Sequence, residues 1–150
     1  MTIPIHVVAH NILQHKDAGR ITPLQLIKLA YLTHGWHLAF FDKPLFSDQV
    51  EAWPYGPVIP SLYSKVKDFR GNPINTELFS DEVGDFEISS NHEKVINQVM
   101  QIYGKYDGIQ LSTLTHREGT PWSNTIQGAV IPNELIKKHF DEMVSQNKKD

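Results

Sequence analysis

The feature that most constrains the fold is a capped segment, Pro23 to Phe41, that is apolar on most of its circumference. Thr22, Pro23 and Gln25 begin it: a hydroxyl that accepts early amide protons, a proline at the first helical position and a glutamine that completes a capping box. Because the apolar residues occupy most faces rather than one stripe, the helix needs neighbours on several sides. The sequence therefore predicts a buried central helix.

Gly35 interrupts this helix near its middle. Glycine costs a helix about 1 kcal/mol relative to alanine, so its presence needs a packing reason. We expect the missing side chain to admit a neighbouring backbone or the ring of a nearby aromatic residue.

Apolar residues at three- and four-residue spacing predict further helices around the central one. They are expected at 4–17, from Pro60 to about Phe69, at 91–106 behind a Ser90/Glu93 capping box, around Leu111 and Leu114, and after Pro132. Thr120 and Pro121 are expected to cap one more helical turn. Residues 45–54 alternate like a half-buried strand, 70–89 look irregular with a possible short strand at 85–89, and 144–150 form a frayed polar tail. The predicted fold is a mainly α, compact single domain of about six helices around a buried central helix, with a short β-strand or hairpin element.

Length and composition support one folded domain. A chain of 150 residues, 40% hydrophobic and 21% charged, builds one core and has no room for a second domain. The absence of cysteine excludes disulfides, a thiolate nucleophile and cysteine-based metal sites, and leaves the cytoplasm as the expected location.

The charge pattern argues against nucleic acid and membrane partners. The net charge is -3, and no basic stripe of the kind a groove-binding module uses is present. No signal-like start and no apolar run of about 18 residues occurs.

A proline-stiffened aromatic segment follows the expected strand. From Trp53 to Pro60 the chain holds three prolines and one glycine, which predicts a stiff turn that presents Trp53 and Tyr55. A second aromatic turn carries Trp122 directly after Pro121.

Several separated motifs occur in a characteristic order. They are Thr22-Pro23-Leu24-Gln25-Leu26-Ile27-Lys28-Leu29, then Tyr31 and Gly35-Trp36-His37-Leu38-Ala39, then Glu51-Ala52-Trp53-Pro54-Tyr55-Gly56-Pro57-Val58-Ile59-Pro60, and last Leu114-Thr115-His116 with Glu118, Pro121 and Trp122. Over about residues 5 to 142 the chain thereby resembles the Panacea antitoxin domain family, which includes SocA-like and phage-associated GepA-like proteins.

The resemblance implies a protein that neutralises a cognate toxin, commonly encoded by an adjacent gene, through direct protein–protein binding. An alternative from the same family is a proteolytic adaptor that delivers a toxin client to a Clp-type protease. The helix-turn-helix region that precedes the domain in some relatives is not expected, since the first predicted helix begins within five residues of Met1.

Histidines raise the alternatives of metal binding and catalysis. His6 and His10 have the spacing of a helical zinc pair but lack its general-base glutamate, and His34 and His37 fit hydrogen-bonded core positions better than ligand positions. His116 and Glu118 could form an acid/base couple, although fastening the loop before Trp122 is the simpler role. The chain lacks a nucleophile motif or a phosphate-binding loop, so we expect no enzyme activity, no cofactor and no metal.

The remaining hypothesis is a surface that binds another protein. The predicted partner-binding residues are Trp53, Tyr55, Trp122, His116 and Glu118. Aromatic anchors supply a large contact area at little entropic cost, but such residues beside prolines also plug the ends of a core. Residues 70–89 are the alternative place for partner-specific contacts.

Overall fold

The computed structural model describes residues 1–149, and it describes their side chains as far as residue 146. Helices dominate this part of the chain, as predicted. They are α1 (Ile5–Leu13), α2 (Pro23–Phe41), α3 (Pro60–Val66) with a 3-10 turn (Lys67–Phe69), α4 (Ser80–Val83), α5 (Ser90–Tyr103), α6 (Gly108–His116) and α7 (Asn133–Lys149). Two strands, β1 (Glu51–Trp53) and β2 (Gly56–Val58), complete the described elements.

Helix α2 is the centre of the domain, as the sequence predicts. The Thr22 amide donates to the Gln25 side chain at 2.9 Å, and the Gln25 amide donates back to the Thr22 hydroxyl at 3.4 Å, so the capping box is formed. Helices α1, α3, α5, α6 and α7 all pack against α2. The helix ends where Asp42 takes a left-handed conformation with φ 55°.

Gly35 is the contact point between α2 and α7. A Cβ at this position would lie 2.5 Å from the Cδ2 and Cζ atoms of Phe140. Phe140 is 1% exposed and also meets Tyr31 and Trp36 edge to face. The predicted role of the glycine is therefore confirmed: its missing side chain admits an aromatic ring.

The two strands form an antiparallel hairpin across a tight turn. Glu51 pairs with Val58, and Trp53 pairs with Gly56. Residues 128–131 run along the other edge of β1, where the Ala52 amide donates to the Ala129 carbonyl at 3.0 Å. Strand β2 therefore packs against α2 and α6, while β1 is hydrogen-bonded to the segment that precedes α7.

Two helices were predicted to extend further than they do, and the capping residue of one of them was predicted one position too late. Helix α1 ends at Leu13 rather than at 17, because the His15 side chain accepts the Asp17 amide and holds the chain in a turn. In α5 the capping residue is Ser89, whose hydroxyl accepts the His92 amide at 3.3 Å, so the predicted Ser90/Glu93 box is wrong by one position. The helix stops at Tyr103, before the predicted end at 106.

The predicted extended segments are only partly formed. Within 45–54 the strand covers Glu51–Trp53, and 85–89 pairs with no other strand in the part of the chain that the structure describes. The stretch 70–89 is largely irregular but holds the short helix α4. Thr120 accepts the Ser123 amide at 3.3 Å, yet residues 121–124 form hydrogen-bonded turns rather than a helix.

The chain after Pro132 forms α7, which begins at Asn133 and stays helical to Lys149. The predicted fraying of 144–150 remains a prediction, and Asp150 lies outside the described residues. Among the helices formed by residues 1–149, none has the length and apolarity needed to cross a bilayer.

We expect Gly35→Ala to lower the free energy of unfolding, although alanine is the better helix former by about 1 kcal/mol. A methyl group forced into a filled core costs about 1–3 kcal/mol, and the overlap with the Phe140 ring favours the upper end. Urea unfolding measures the change. The control is Gly71→Ala, where a Cβ meets no atom within 4 Å; equal stability changes in the two variants would contradict the packing role of Gly35.

Candidate functional site

The hairpin is fastened to the domain by three side-chain donors that come from three different elements. Each donor bonds to a backbone carbonyl, and the three carbonyls alternate along the hairpin. The bonds are Trp122 Nε1 to Trp53 O at 2.6 Å, Ser112 Oγ to Tyr55 O at 2.5 Å and Lys28 Nζ to Pro57 O at 2.7 Å. We call residues 51–58 with these three donors the anchored hairpin.

Gly56 lets the hairpin lie directly on α2 and α6. Its φ is +115°, which L side chains rarely adopt. A Cβ there would stand 3.0 Å from the Lys28 Nζ and 3.3 Å from the Thr115 hydroxyl. The glycine in the motif is therefore required both by the turn and by the close approach.

Lys28 is a buried amine without an ionic partner among the residues whose side chains the structure describes. Its side chain is 0% exposed, and its hydrogen bond to the Pro57 carbonyl is the polar contact that the structure gives it. Burial lowers the pKa of Lys28 from 10.5 to about 7, because the ammonium loses its hydration. Lys28 thus holds the hairpin at an energetic cost that a surface lysine would not have.

Tyr55 is the predicted aromatic anchor that lies mostly in solvent. It occupies the tip of the anchored hairpin with 75% of its surface exposed. Trp53 is half-buried: its indole nitrogen donates to Glu51 at 3.0 Å, and its ring meets Tyr63 edge to face at 5.3 Å. The hairpin therefore presents the tyrosine and holds the tryptophan against the domain.

Trp122 fastens the hairpin, and His116 of α6 packs against Trp122. Their rings meet edge to face at 5.4 Å, and His116 Nδ1 contacts the Ser112 carbonyl in a short hydrogen bond. Glu118 is exposed, and within residues 1–149 no hydrogen bond or ion pair joins it to His116. The alternative acid/base couple of His116 and Glu118 is therefore not formed in this structure, and His116 contacts Ser112 and Trp122 instead.

Exposed apolar side chains lie on the elements next to the hairpin, and sequence reasoning missed all four of them. They are Tyr63 on α3, Ile109 at the start of α6, and Ile126 and Val130 on the chain that leads to the outer edge of β1. Ile109 lies one turn before Ser112, on the face that meets the Tyr55 carbonyl. An isolated exposed apolar residue means little, but several of them on neighbouring elements are typical of an interaction surface.

His34 and His6, one from each histidine pair, have structural contacts. His34 is buried between the Leu45 amide, the Asn133 side chain and the Phe46 ring, and burial lowers its pKa to about 4. His6 lies 3.7 Å from Glu82. No group of three or more potential metal ligands comes together in the described part of the chain.

The buried amine of Lys28 predicts an unusual pH dependence of stability. Between pH 7 and 10.5 the unfolded chain holds a proton on Lys28 that the folded chain releases, so the free energy of unfolding should rise with pH across this window. Lys28→Met should flatten the rise. Near pH 9 the variant should be less stable than the native protein, because the Pro57 carbonyl loses its hydrogen-bond donor. At pH 6 the variant should be equally or more stable, because the native protein then buries a charged ammonium and the variant does not.

Urea unfolding at pH 6, 7, 8 and 9 measures both effects. Lys94→Met changes an exposed lysine of α5 and is the control; it should keep the native pH slope. A native protein whose stability does not change between pH 7 and 9 would contradict the assignment of Lys28.

Known proteins resemble this chain over most of its length. The family described as "Antitoxin SocA-like, Panacea domain" matches residues 26–123, which include Lys28, the anchored hairpin, Ser112 and Trp122. Antitoxin SocA of Caulobacter vibrioides (strain NA1000 / CB15N) is 30% identical over 151 residues, which cover 87% of this chain and 79% of that protein. No solved structure matches. The resemblance inferred from the separated motifs is thus confirmed, and the chain belongs to the family of SocA-like antitoxins with a Panacea domain.

Proposed function

We propose that this domain is an antitoxin that neutralises a cognate toxin by direct contact, without catalysis, and that the tip of the anchored hairpin is the centre of the contact. Membership in an antitoxin family implies a toxin partner. We further propose that the two proteins meet in the cytoplasm and that the toxin is encoded by an adjacent gene.

The exposure of Tyr55 on a fixed backbone carries this proposal. Tyrosine offers a large amphipathic contact and has few rotatable bonds to immobilise. The bond from Ser112 holds its own carbonyl, and those from Trp122 and Lys28 hold the carbonyls on either side. A partner therefore meets a side chain whose backbone is already ordered, which lowers the entropic cost of binding.

The surroundings of Tyr55 have the composition of an interface. Tyr63, Ile126 and Val130 expose apolar surface on elements next to the hairpin, and Glu51 accepts a hydrogen bond from the Trp53 indole nitrogen. Interfaces commonly combine an aromatic anchor with an apolar patch and a polar rim. Trp53, Trp122 and His116 contribute mainly by positioning the tip, while Glu118 stands apart as an exposed charge.

Tyr55→Ala should weaken toxin binding while leaving the fold intact. Loss of a central aromatic anchor costs about 2 kcal/mol or more, so the dissociation constant should rise roughly 30-fold. Calorimetry of the purified pair, together with rescue of growth on co-expression with the adjacent gene product, measures the loss. Because Tyr55 is mostly exposed, the melting temperature should stay near that of the native protein.

The matched variant is Phe86→Ala, an aromatic residue 46% exposed in the irregular stretch 70–89. It should leave binding unchanged if the hairpin is the contact. The opposite result, with Phe86→Ala weakening binding and Tyr55→Ala silent, would move the contact to 70–89. A shortened toxin half-life during co-expression, rather than inhibition of the purified toxin, would favour the proteolytic adaptor.

A further inference from the structure

An apolar groove opens between the C-terminal halves of α2, α5 and α7. Its volume is about 340 Å³, within the range of roughly 300–1,000 Å³ that small-molecule sites occupy. We call it the α5 groove. Its floor is formed by buried residues and its rim by exposed or half-buried ones: the floor is Trp36, Val99 and Tyr103, and the rim includes Phe40, Ile102 and Met143.

Aromatic rings form much of the groove surface, and contacts within the domain hold the central ring in place. The Trp36 indole meets the Phe140 ring edge to face at 5.1 Å and donates to the Tyr103 hydroxyl at 3.2 Å. The Phe40 ring stacks on Trp36, with centroids 5.5 Å apart and planes at 23°. Phe40 is 44% exposed, so the stack runs from the core to the surface. A flat ligand ring therefore meets aromatic partners that are already positioned, and aromatic rings favour such stacking.

The lining of the groove carries no formal charge. None of the described residues that line it is Asp, Glu, Lys, Arg or His, although 21% of the chain is charged. The Trp36 indole N–H already has its acceptor in the Tyr103 hydroxyl, so an apolar ligand that covers the floor leaves this donor satisfied. An ionised ligand would lose hydration in the groove and gain no partner of opposite charge from the lining. The chemistry of the lining therefore selects a neutral ligand.

The extent of the apolar surface favours a small ligand over a second copy of the chain. Phe40 and Ile102 are about equally exposed, and the other exposed large apolar side chains of the described chain lie outside the groove. Eight described residues line the groove, whereas a standard protein interface takes about 20–30 residues and roughly 800 Å² from each partner. The groove alone is therefore too small for a stable dimer, but its volume matches one small ring system.

We infer that the α5 groove binds a neutral, planar aromatic molecule of one or two rings, which stacks on Phe40 and packs against Ile102 and Met143. No residue of the anchored hairpin lines this site, so the inference does not depend on the proposed antitoxin function.

Binding of acetophenone to the purified domain, followed by NMR titration, tests the site directly. The Trp36 indole N–H resonance should shift, while that of Trp122, which holds the hairpin, should not. A dissociation constant of about 1 mM or lower is expected for a ligand of this size.

Three matched ligands define the chemical class. Benzoate and benzamidinium are similar to acetophenone in size but carry a negative and a positive charge, so each should bind at least about tenfold more weakly. Cyclohexyl methyl ketone keeps the carbonyl but has a ring that is not flat, so it should bind at least about threefold more weakly.

Phe40→Ala separates the aromatic stack from the fold. Because Phe40 is 44% exposed, the melting temperature should stay near that of the native protein, while acetophenone binding should weaken about fivefold or more. Phe86→Ala is the matched control, since Phe86 is 46% exposed and lies outside the groove. It should leave acetophenone binding unchanged.

Three results would overturn the inference. The first is a Trp36 resonance that acetophenone does not shift in the millimolar range, and the second is binding of benzoate or benzamidinium as tight as that of acetophenone. The third is a folded Phe40→Ala variant that binds acetophenone as well as the native protein does. If Phe40→Ala fails to fold, the ligand series on the native protein still decides. None of these results bears on Tyr55→Ala, so the two hypotheses fail independently.

Discussion

The interaction on which the rest of the structure depends is the fastening of a very short hairpin by side chains from remote parts of the chain. Two strands of three residues cannot hold their shape alone, because isolated hairpins are marginal even when longer. Donors 29, 57 and 69 residues away in sequence bond to the carbonyls of Pro57, Tyr55 and Trp53. The position of the exposed Tyr55 thus depends on α2, α6 and the Trp122 turn at once.

Lys28 shows what this arrangement costs. An apolar residue of similar size would satisfy the central helix without the burial penalty that moves the lysine pKa to about 7. The amine reaches the Pro57 carbonyl, and Gly56 removes the side chain that would otherwise crowd it. Stability given up for a fixed geometry is common near functional surfaces, and it agrees with the family match spanning Lys28 and the hairpin.

The parts of the fold that the sequence predicts correctly are those specified by residues close together in the chain. The Thr22 capping box and the all-round apolar pattern specify α2, and Gly35 indicates an aromatic neighbour, because each signal is contained within a few residues. The sequence could not show that Ser89 rather than Ser90 caps α5, since both residues offer the same hydroxyl group. The three hydrogen bonds that anchor the hairpin were not predicted, because each joins residues far apart in the sequence. A lysine within the apolar helix α2 did indicate that a buried polar contact was present. The extent of Glu118 exposure likewise follows from tertiary packing alone.

Native-state hydrogen exchange of the hairpin amides tests the fastening most directly. With the three anchors in place, the amides that pair Glu51 with Val58 should exchange as slowly as those of α2, since both open only on global unfolding. Ser112→Ala should speed exchange in the hairpin and leave α2 unchanged. Hairpin amides that already exchange rapidly in the native protein, or that keep full protection in Ser112→Ala, would contradict the account.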